Sequence, residues 1–168
     1  MAVSTSYGRK QQWRNEAIAK LVKDLTDLGE EAIRYVANNP VGYEHQKYNL
    51  YDSLSSAVYV DGVLDVNTIR YASDSERSTG LYQDRGRTGS YEMMNGRDAV
   101  ENYWDTHRKK ARVTAVELVC VAAVFYAGIL EASEVRVVSA VTDYLESKMG
   151  RYKGYSPRLM LSSEDKRL

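Results

Sequence analysis

Three residues in the first third of the chain have side chains that could transfer protons: Glu44, His45 and Asp52. A histidine near carboxylates is a common arrangement in general acid–base catalysis. The second histidine, His107, is distant in sequence, and neither histidine belongs to a set of residues with metal-ligand spacing. The sequence also lacks a nucleophile elbow, a phosphate loop and a dinucleotide fingerprint. We therefore expect no enzyme, no cofactor and no metal, and a hydrolase centred on His45 is the alternative.

Oxygen-bearing side chains also cluster at Asp61, Asp65 and Asn67. Their spacing lacks the full ligand series and the closing glutamate of a calcium loop. The Asp61-Gly62 pair lies instead between two apolar runs, Leu54–Val60 and Val63–Val66. An Asp-Gly pair in this position is typical of a type I′ turn, which requires a positive φ at both central residues. The pattern therefore predicts a hairpin of two antiparallel strands.

Length and charge narrow the classes of function. The chain has 168 residues, which fit one domain, and its 23 basic and 23 acidic residues cancel. A balanced charge gives no strong positive field, so we expect no non-specific binding to duplex DNA. The start of the chain lacks the apolar core of a secretion signal, which predicts synthesis in the cytoplasm. The apolar run Leu118–Leu130 is shorter than the roughly 20 residues that cross a bilayer, so no membrane partner is expected.

The cysteine and tyrosine content indicates which side chains are expected in the core and which at interfaces. The single cysteine, Cys120, has valines on both sides, so we expect a small buried hydrophobe. The chain has 14 tyrosines against one phenylalanine and two tryptophans. Tyrosine suits half-buried surfaces where the ring packs and the hydroxyl stays in water. This composition favours protein interfaces.

Apolar periodicity predicts the helices. Apolar residues recur every three or four positions from Trp13 to Ala37, which predicts a long amphipathic helix that ends before Pro40. A second helix is expected after Gly96-Arg97-Asp98, with Ala99, Val100, Tyr103 and Trp104 on its inner side. Basic residues follow it from His107 to Arg112, where cations suit the helix dipole. A last helix, capped by Ser139, is expected to run to about Met149.

The stretch Val116–Val138 carries the strongest strand signal. We expect a buried strand, a turn built on Phe125-Tyr126-Ala127-Gly128, and a second strand over Val135–Val138. The resulting fold class is α+β, with a small antiparallel or mixed sheet packed against the long N-terminal helix and one or two further helices. The expected organisation is an N-terminal arm (1–12), one α+β domain (13–150) and a C-terminal tail (151–168).

Two segments without periodicity are the predicted interaction surfaces. Residues 71–95 form a long excursion, and long loops in compact domains tend to be functional or disordered. The tail after Gly150 is expected to order against a neighbouring subunit. The candidate contact residues are Arg77, Arg85, Arg87, Tyr91, Tyr152, Tyr155, Leu159 and Leu161.

Two short motifs occur in the predicted order of elements. Asn49-Leu50-Tyr51-Asp52-Ser53 opens the first strand, and Tyr126-Ala127-Gly128-Ile129-Leu130-Glu131 closes the core strand. With the segments around them, these motifs resemble the neck or tail-completion proteins (head–tail connector proteins) of tailed double-stranded-DNA phages. The resemblance extends over roughly residues 13–145.

The resemblance implies a structural virion protein, located at the head–tail junction. It implies a sixfold or twelvefold ring of copies of this chain that contacts neighbouring neck, connector and tail proteins, with DNA passing through the lumen without specific binding. Ala132-Ser133-Glu134 replaces the glycine-containing turn usual after the second motif, and residues 71–95 and the tail exceed a minimal member. These departures leave the place in the neck open, including the neck of a short-tailed phage. A small nucleic-acid-binding adaptor, using His107–Arg112 with Arg85 and Arg87, is a further alternative.

Overall fold

A computed structural model describes residues 3–42, 48–85, 90–110, 115–124, 126–133 and 135–149 of the protein. These ranges contain helices and antiparallel strands, which confirms the α+β class. In chain order the elements are α1 (Val3–Asn38), α2 (Asn49–Asp52), β1 (Leu54–Val60), β2 (Val63–Tyr71), β3 (Tyr82–Arg85), β4 (Tyr91–Met94), α3 (Gly96–Thr106), β5 (Val116–Ala122), α4 (Tyr126–Ala132) and α5 (Val138–Met149).

The strand β1 is the centre of a three-stranded antiparallel sheet with the order β2-β1-β5. Successive residues of a strand face opposite sides of the sheet. Val58 packs with Leu25 of α1 and Met149 of α5 on one side, whereas Tyr59 packs with Trp104 of α3 on the other. The sheet is therefore the middle layer of three, with α1 and α5 on one face and α3 on the other.

The helix α1 is 36 residues long and begins at Val3. Helix therefore covers most of the predicted N-terminal arm (1–12). Arg9, Lys10, Gln11 and Gln12 at the end of this segment favour helix, so the helix propagates outward from its packed half. The packed half approaches the sheet closely at Gly29, where a Cβ atom would lie 2.8 Å from Oγ of Ser56. The helix ends at Asn38, as the sequence predicts.

The predicted hairpin between β1 and β2 is confirmed. Asp61 and Gly62 have φ angles of 50° and 77°, and Val60 pairs with Val63 across the turn. Both φ values are positive, as a type I′ turn requires.

The predicted long loop over 71–95 contains regular secondary structure. It contains a second, two-stranded antiparallel sheet in which Tyr82 of β3 pairs with Met94 of β4. Each strand has four residues, too few for an alternating pattern to stand out in the sequence. The helix predicted next to it is confirmed: Asn95 and Asp98 form a capping box at the start of α3.

The predicted turn on Phe125-Tyr126-Ala127-Gly128 and the second strand over Val135–Val138 are wrong. Residues Tyr126–Ala132 form helix α4, and Arg136 forms only a single bridge with Val41. A short apolar run suits a buried helix as well as a buried strand, so the sequence pattern alone does not separate the two. The last helix ends at Met149 as predicted, but it begins at Val138, so Ser139 lies in its first turn.

Candidate interaction surfaces

Of the residues with possible acid–base chemistry, Asp52 has a structural role. It is fully buried, and its Oδ2 accepts hydrogen bonds from the backbone N–H groups of Arg77 and Ser78, both at 2.6 Å. The hydroxyl of Ser78 donates to the same oxygen at 2.7 Å, whereas the hydroxyl of Ser73 lies 3.3 Å from Oδ1 and 2.5 Å from the carbonyl of Ser75, to which it donates. The carboxylate therefore fixes the segment 73–78. The other two candidates, Glu44 and His45, lie outside the described residues.

The basic segment after α3 is held by neighbouring groups. The ring of His107 stacks on Tyr103 with centroids 4.1 Å apart. Arg108 pairs with Asp105 at 2.7 Å. Lys110 lies 3.6 Å from Glu117 and 4.7 Å from the ring centroid of Tyr59. The end of the predicted segment, Arg112, lies outside the described residues. Acidic partners thus offset the described arginine and one of the two described lysines.

A second group of arginines lines a cleft between α1 and β2. Arg34 pairs with Glu30 at 2.9 Å and with Asp74 at 2.5 Å. Arg70 lies 3.3 Å from Glu30. The cleft has two positive and two negative charges, so it offers no excess charge to an anion.

The predicted contact residues are distributed over different environments. Arg77 is held by Asp52 through its backbone, and its guanidinium lies 4.9 Å from the ring centroid of Tyr51. Arg85 pairs across the small sheet with Tyr91, whose side chain is 75% exposed. The remaining candidates lie outside the described residues: Arg87, Tyr152, Tyr155, Leu159 and Leu161.

A groove between β4 and α3 combines acidic and apolar side chains. We call it the acidic groove, and its lining residues are Glu92, Met93, Met94, Asp98, Glu101 and Asn102. Met93 is 61% exposed, and Tyr91 lies at the start of the same strand. Its described lining includes three carboxylates, so this part of the groove favours a positively charged partner.

The first half of α1 is a further exposed surface, which we call the projecting helix (residues 8–21). Every residue in it is exposed except Ile18, which is partly buried. Trp13 is 67% exposed and Leu21 is 44% exposed. At 1.5 Å per residue, these residues extend about 20 Å beyond the part of α1 that packs on the sheet.

The exposure of the projecting helix is not among the features predicted from the sequence. The apolar stripe that packs on the sheet from Leu25 onward continues through Leu21 and Ala17 to Trp13 at four-residue spacing. A helix of 36 residues is about 54 Å long, which exceeds the width of a domain of this size. The periodicity predicts a shorter helix, from Trp13 to Ala37, so the sequence alone does not show that part of the stripe has no sheet beneath it.

The groups with shifted pKa values lie in the packed interior or at a contact between two helices. Burial raises the pKa of the Tyr59 hydroxyl to about 12 and that of the Cys120 thiol to about 12. The hydroxyl of Tyr144 on α5 donates to Glu31 on α1 at 2.5 Å, which lowers the pKa of Glu31. In the part of the chain that the structure describes, no three His, Cys, Asp or Glu residues are arranged to hold a metal ion.

None of the described helices combines the length and apolar character that crossing a bilayer requires. No protein-family model, curated protein or solved structure matches this chain.

Proposed function

We propose that this chain is a structural virion protein that forms a ring at the head–tail junction of a tailed double-stranded-DNA phage. In this role it joins the portal-side connector to the tail. A ring subunit needs two different, complementary surfaces, because one face of each copy meets another face of the next. The observation that carries the proposal is that the domain presents two such surfaces, the projecting helix and the acidic groove.

The two motifs behind the resemblance support the proposal through their positions in the fold. In the first motif, Oδ1 of Asn49 accepts the backbone N–H of Gly96 at 3.0 Å, and Asp52 fixes the segment 73–78. In the second motif, Oε1 of Glu131 accepts the backbone N–H groups of Val137 and Ser139. These residues fix the connections between elements, which suits a protein whose function depends on its shape.

Two other functions use the same features differently. A ring or adaptor protein of a short-tailed phage neck would use the same two surfaces, with a different tail partner. A small nucleic-acid-binding adaptor would use the basic residues after α3. The pairing of Arg108 with Asp105 and of Lys110 with Glu117 reduces the charge available there, so the ring is the favoured function.

The test is to disrupt the gene in the phage that encodes this chain and to purify the particles. We expect filled heads without attached tails, and we expect the wild-type gene, supplied in trans, to restore tailed particles. Mass spectrometry of wild-type virions should detect the protein in a low, fixed copy number. Tailed, infectious particles without the gene, or virions that lack the protein, would rule out the proposed function.

A further inference from the structure

We infer that the projecting helix of one copy docks into the acidic groove of the next copy, and that this contact builds the oligomer. The inference rests on the proposed ring and names its interface. It follows from the charges, the apolar side chains and the positions of the two surfaces.

The charges of the two surfaces are opposite. Residues 8–21 carry four basic side chains, Arg9, Lys10, Arg14 and Lys20, and one acidic side chain, Glu16. Glu16 accepts a hydrogen bond from Gln12 at 2.9 Å. On the helix, Arg9 precedes Trp13 by four residues and Lys20 follows Ala17 by three, so basic side chains flank the apolar stripe.

The apolar side chains of the two surfaces also match. Trp13, Ala17 and Leu21 form the exposed stripe, and Met93 is the exposed methionine of the groove, whereas Met94 beside it is buried in the core. A methionine side chain adapts to irregular shapes and makes favourable contacts with aromatic rings. A tryptophan against Met93, with charges at the rim, resembles the usual anatomy of a protein interface.

The helix does not reach the groove of its own chain. From Leu25 onward, α1 packs against the face of the sheet that carries Val58. The groove borders α3, which packs against the opposite face through Val100 and Trp104. The three-stranded sheet separates the two surfaces, so the contact joins different copies.

Such a contact is heterologous, because the two surfaces are different. Each bound copy still presents a free helix at one end and a free groove at the other, so association continues until a ring closes. A symmetric dimer would instead use the same patch on both copies. The two arrangements predict different results when copies with one damaged surface are mixed.

The experiment measures association of the full chain by sedimentation velocity over a concentration series. Trp13→Ala with Arg14→Glu damages the helix, and Glu92→Lys with Glu101→Lys damages the groove. We expect the wild-type chain to form species larger than a dimer. The association constant of each double variant should be at least about tenfold lower than that of the wild-type chain. A mixture of the two variants should form a one-to-one dimer and nothing larger, because one intact helix meets one intact groove.

Matched controls carry similar changes elsewhere. Val66→Ala removes an exposed apolar side chain from β2, and Glu146→Lys reverses an exposed charge on α5. Both should associate like the wild-type chain, and all variants should keep its melting temperature. A monomeric wild-type chain, unchanged association of the double variants, or a mixture without a dimer would overturn the inference. If these variants still form rings, the inferred interface is wrong but the chain does form a ring. The experiment on phage particles then tests independently whether that ring belongs to the virion.

Discussion

Asp52 and Ser78 are joined by two hydrogen bonds to a single carboxylate oxygen. The backbone N–H of Ser78 donates to Oδ2 of Asp52 at 2.6 Å, and its hydroxyl donates to the same atom at 2.7 Å. Asp52 ends a helix of four residues just before the central strand, whereas Ser78 belongs to the connection between the two sheets. One buried side chain therefore sets where the second sheet leaves the first.

We expect Asp52→Asn to destabilise the domain by about 1–3 kcal/mol, because a neutral amide oxygen accepts the three donors that meet Oδ2 more weakly than a carboxylate oxygen does. Urea unfolding measures the loss, and amide hydrogen exchange should become faster over residues 73–78. The control is Asp74→Asn, since that side chain is 88% exposed and exposed ion pairs contribute roughly 0–1 kcal/mol. Equal stability of the two variants would contradict the role assigned to Asp52.

A second prediction compares two glycines of α1. At Gly29 a Cβ atom would lie 2.7 Å from Cδ1 of Leu118 and 2.8 Å from Oγ of Ser56, whereas at Gly8 nothing lies within 4 Å. Alanine favours helix over glycine at both positions. We expect Gly29→Ala to destabilise the domain by about 1–3 kcal/mol, because the helix must move away from the sheet.

Gly8→Ala is the matched control for this prediction. It should leave the stability unchanged or raise it by up to about 1 kcal/mol, since only helix propensity changes there. Thermal unfolding of the two variants measures the difference. If Gly29→Ala is as stable as Gly8→Ala, α1 does not lie as close to β1 as the structure places it.

Part of the fold could be predicted from short stretches of the sequence. The Asp61-Gly62 turn was predicted because its geometry depends on two residues alone. The helix at Gly96–Thr106 was predicted because its cap and apolar face are contiguous in sequence. The strand and turn predicted around α4 are wrong because an apolar run does not distinguish a strand from a helix.

The candidate surfaces depend even more on the tertiary structure. The stripe through Trp13 and Leu21 is visible in the sequence, but its exposure follows from where the sheet ends beneath α1. The acidic groove joins Glu92 of a strand to Glu101 of a helix, and no alternating pattern in the sequence predicts that strand. Asp52 was noticed as a possible acid or base, and only its buried donors show that it fixes a loop.

The third prediction concerns Cys120, a partly buried residue that packs against the buried cluster containing Ala32 and Val141. Burial raises the pKa of this thiol from its ordinary value of 9.0 to about 12. Near pH 8, we expect a thiol reagent to modify the native chain much more slowly than the urea-unfolded chain. Equal rates would show that the thiol is open to solvent.

The same pKa shift predicts how stability depends on pH. The unfolded thiol loses its proton above about pH 9, whereas the folded thiol keeps it until about pH 12. The unfolded state therefore binds fewer protons in this range, and stability falls with rising pH by up to about 1.4 kcal/mol per unit. Tyr59 adds a parallel loss above pH 10, because its pKa is also raised to about 12. Cys120→Ala should fall less steeply than the wild-type chain between pH 9 and 10.

The last prediction concerns Glu131, which caps α5 in place of the predicted Ser139. Its Oε1 accepts the backbone N–H groups of Val137 at 2.6 Å and Ser139 at 3.0 Å. A carboxylate at a helix start satisfies unpaired N–H groups and interacts favourably with the helix dipole. We expect Glu131→Ala to cost about 1–2 kcal/mol in urea unfolding, whereas Glu146→Ala, on the exposed side of α5, should change stability by less than about 0.5 kcal/mol. Equal effects at the two positions would show that α5 does not depend on this cap.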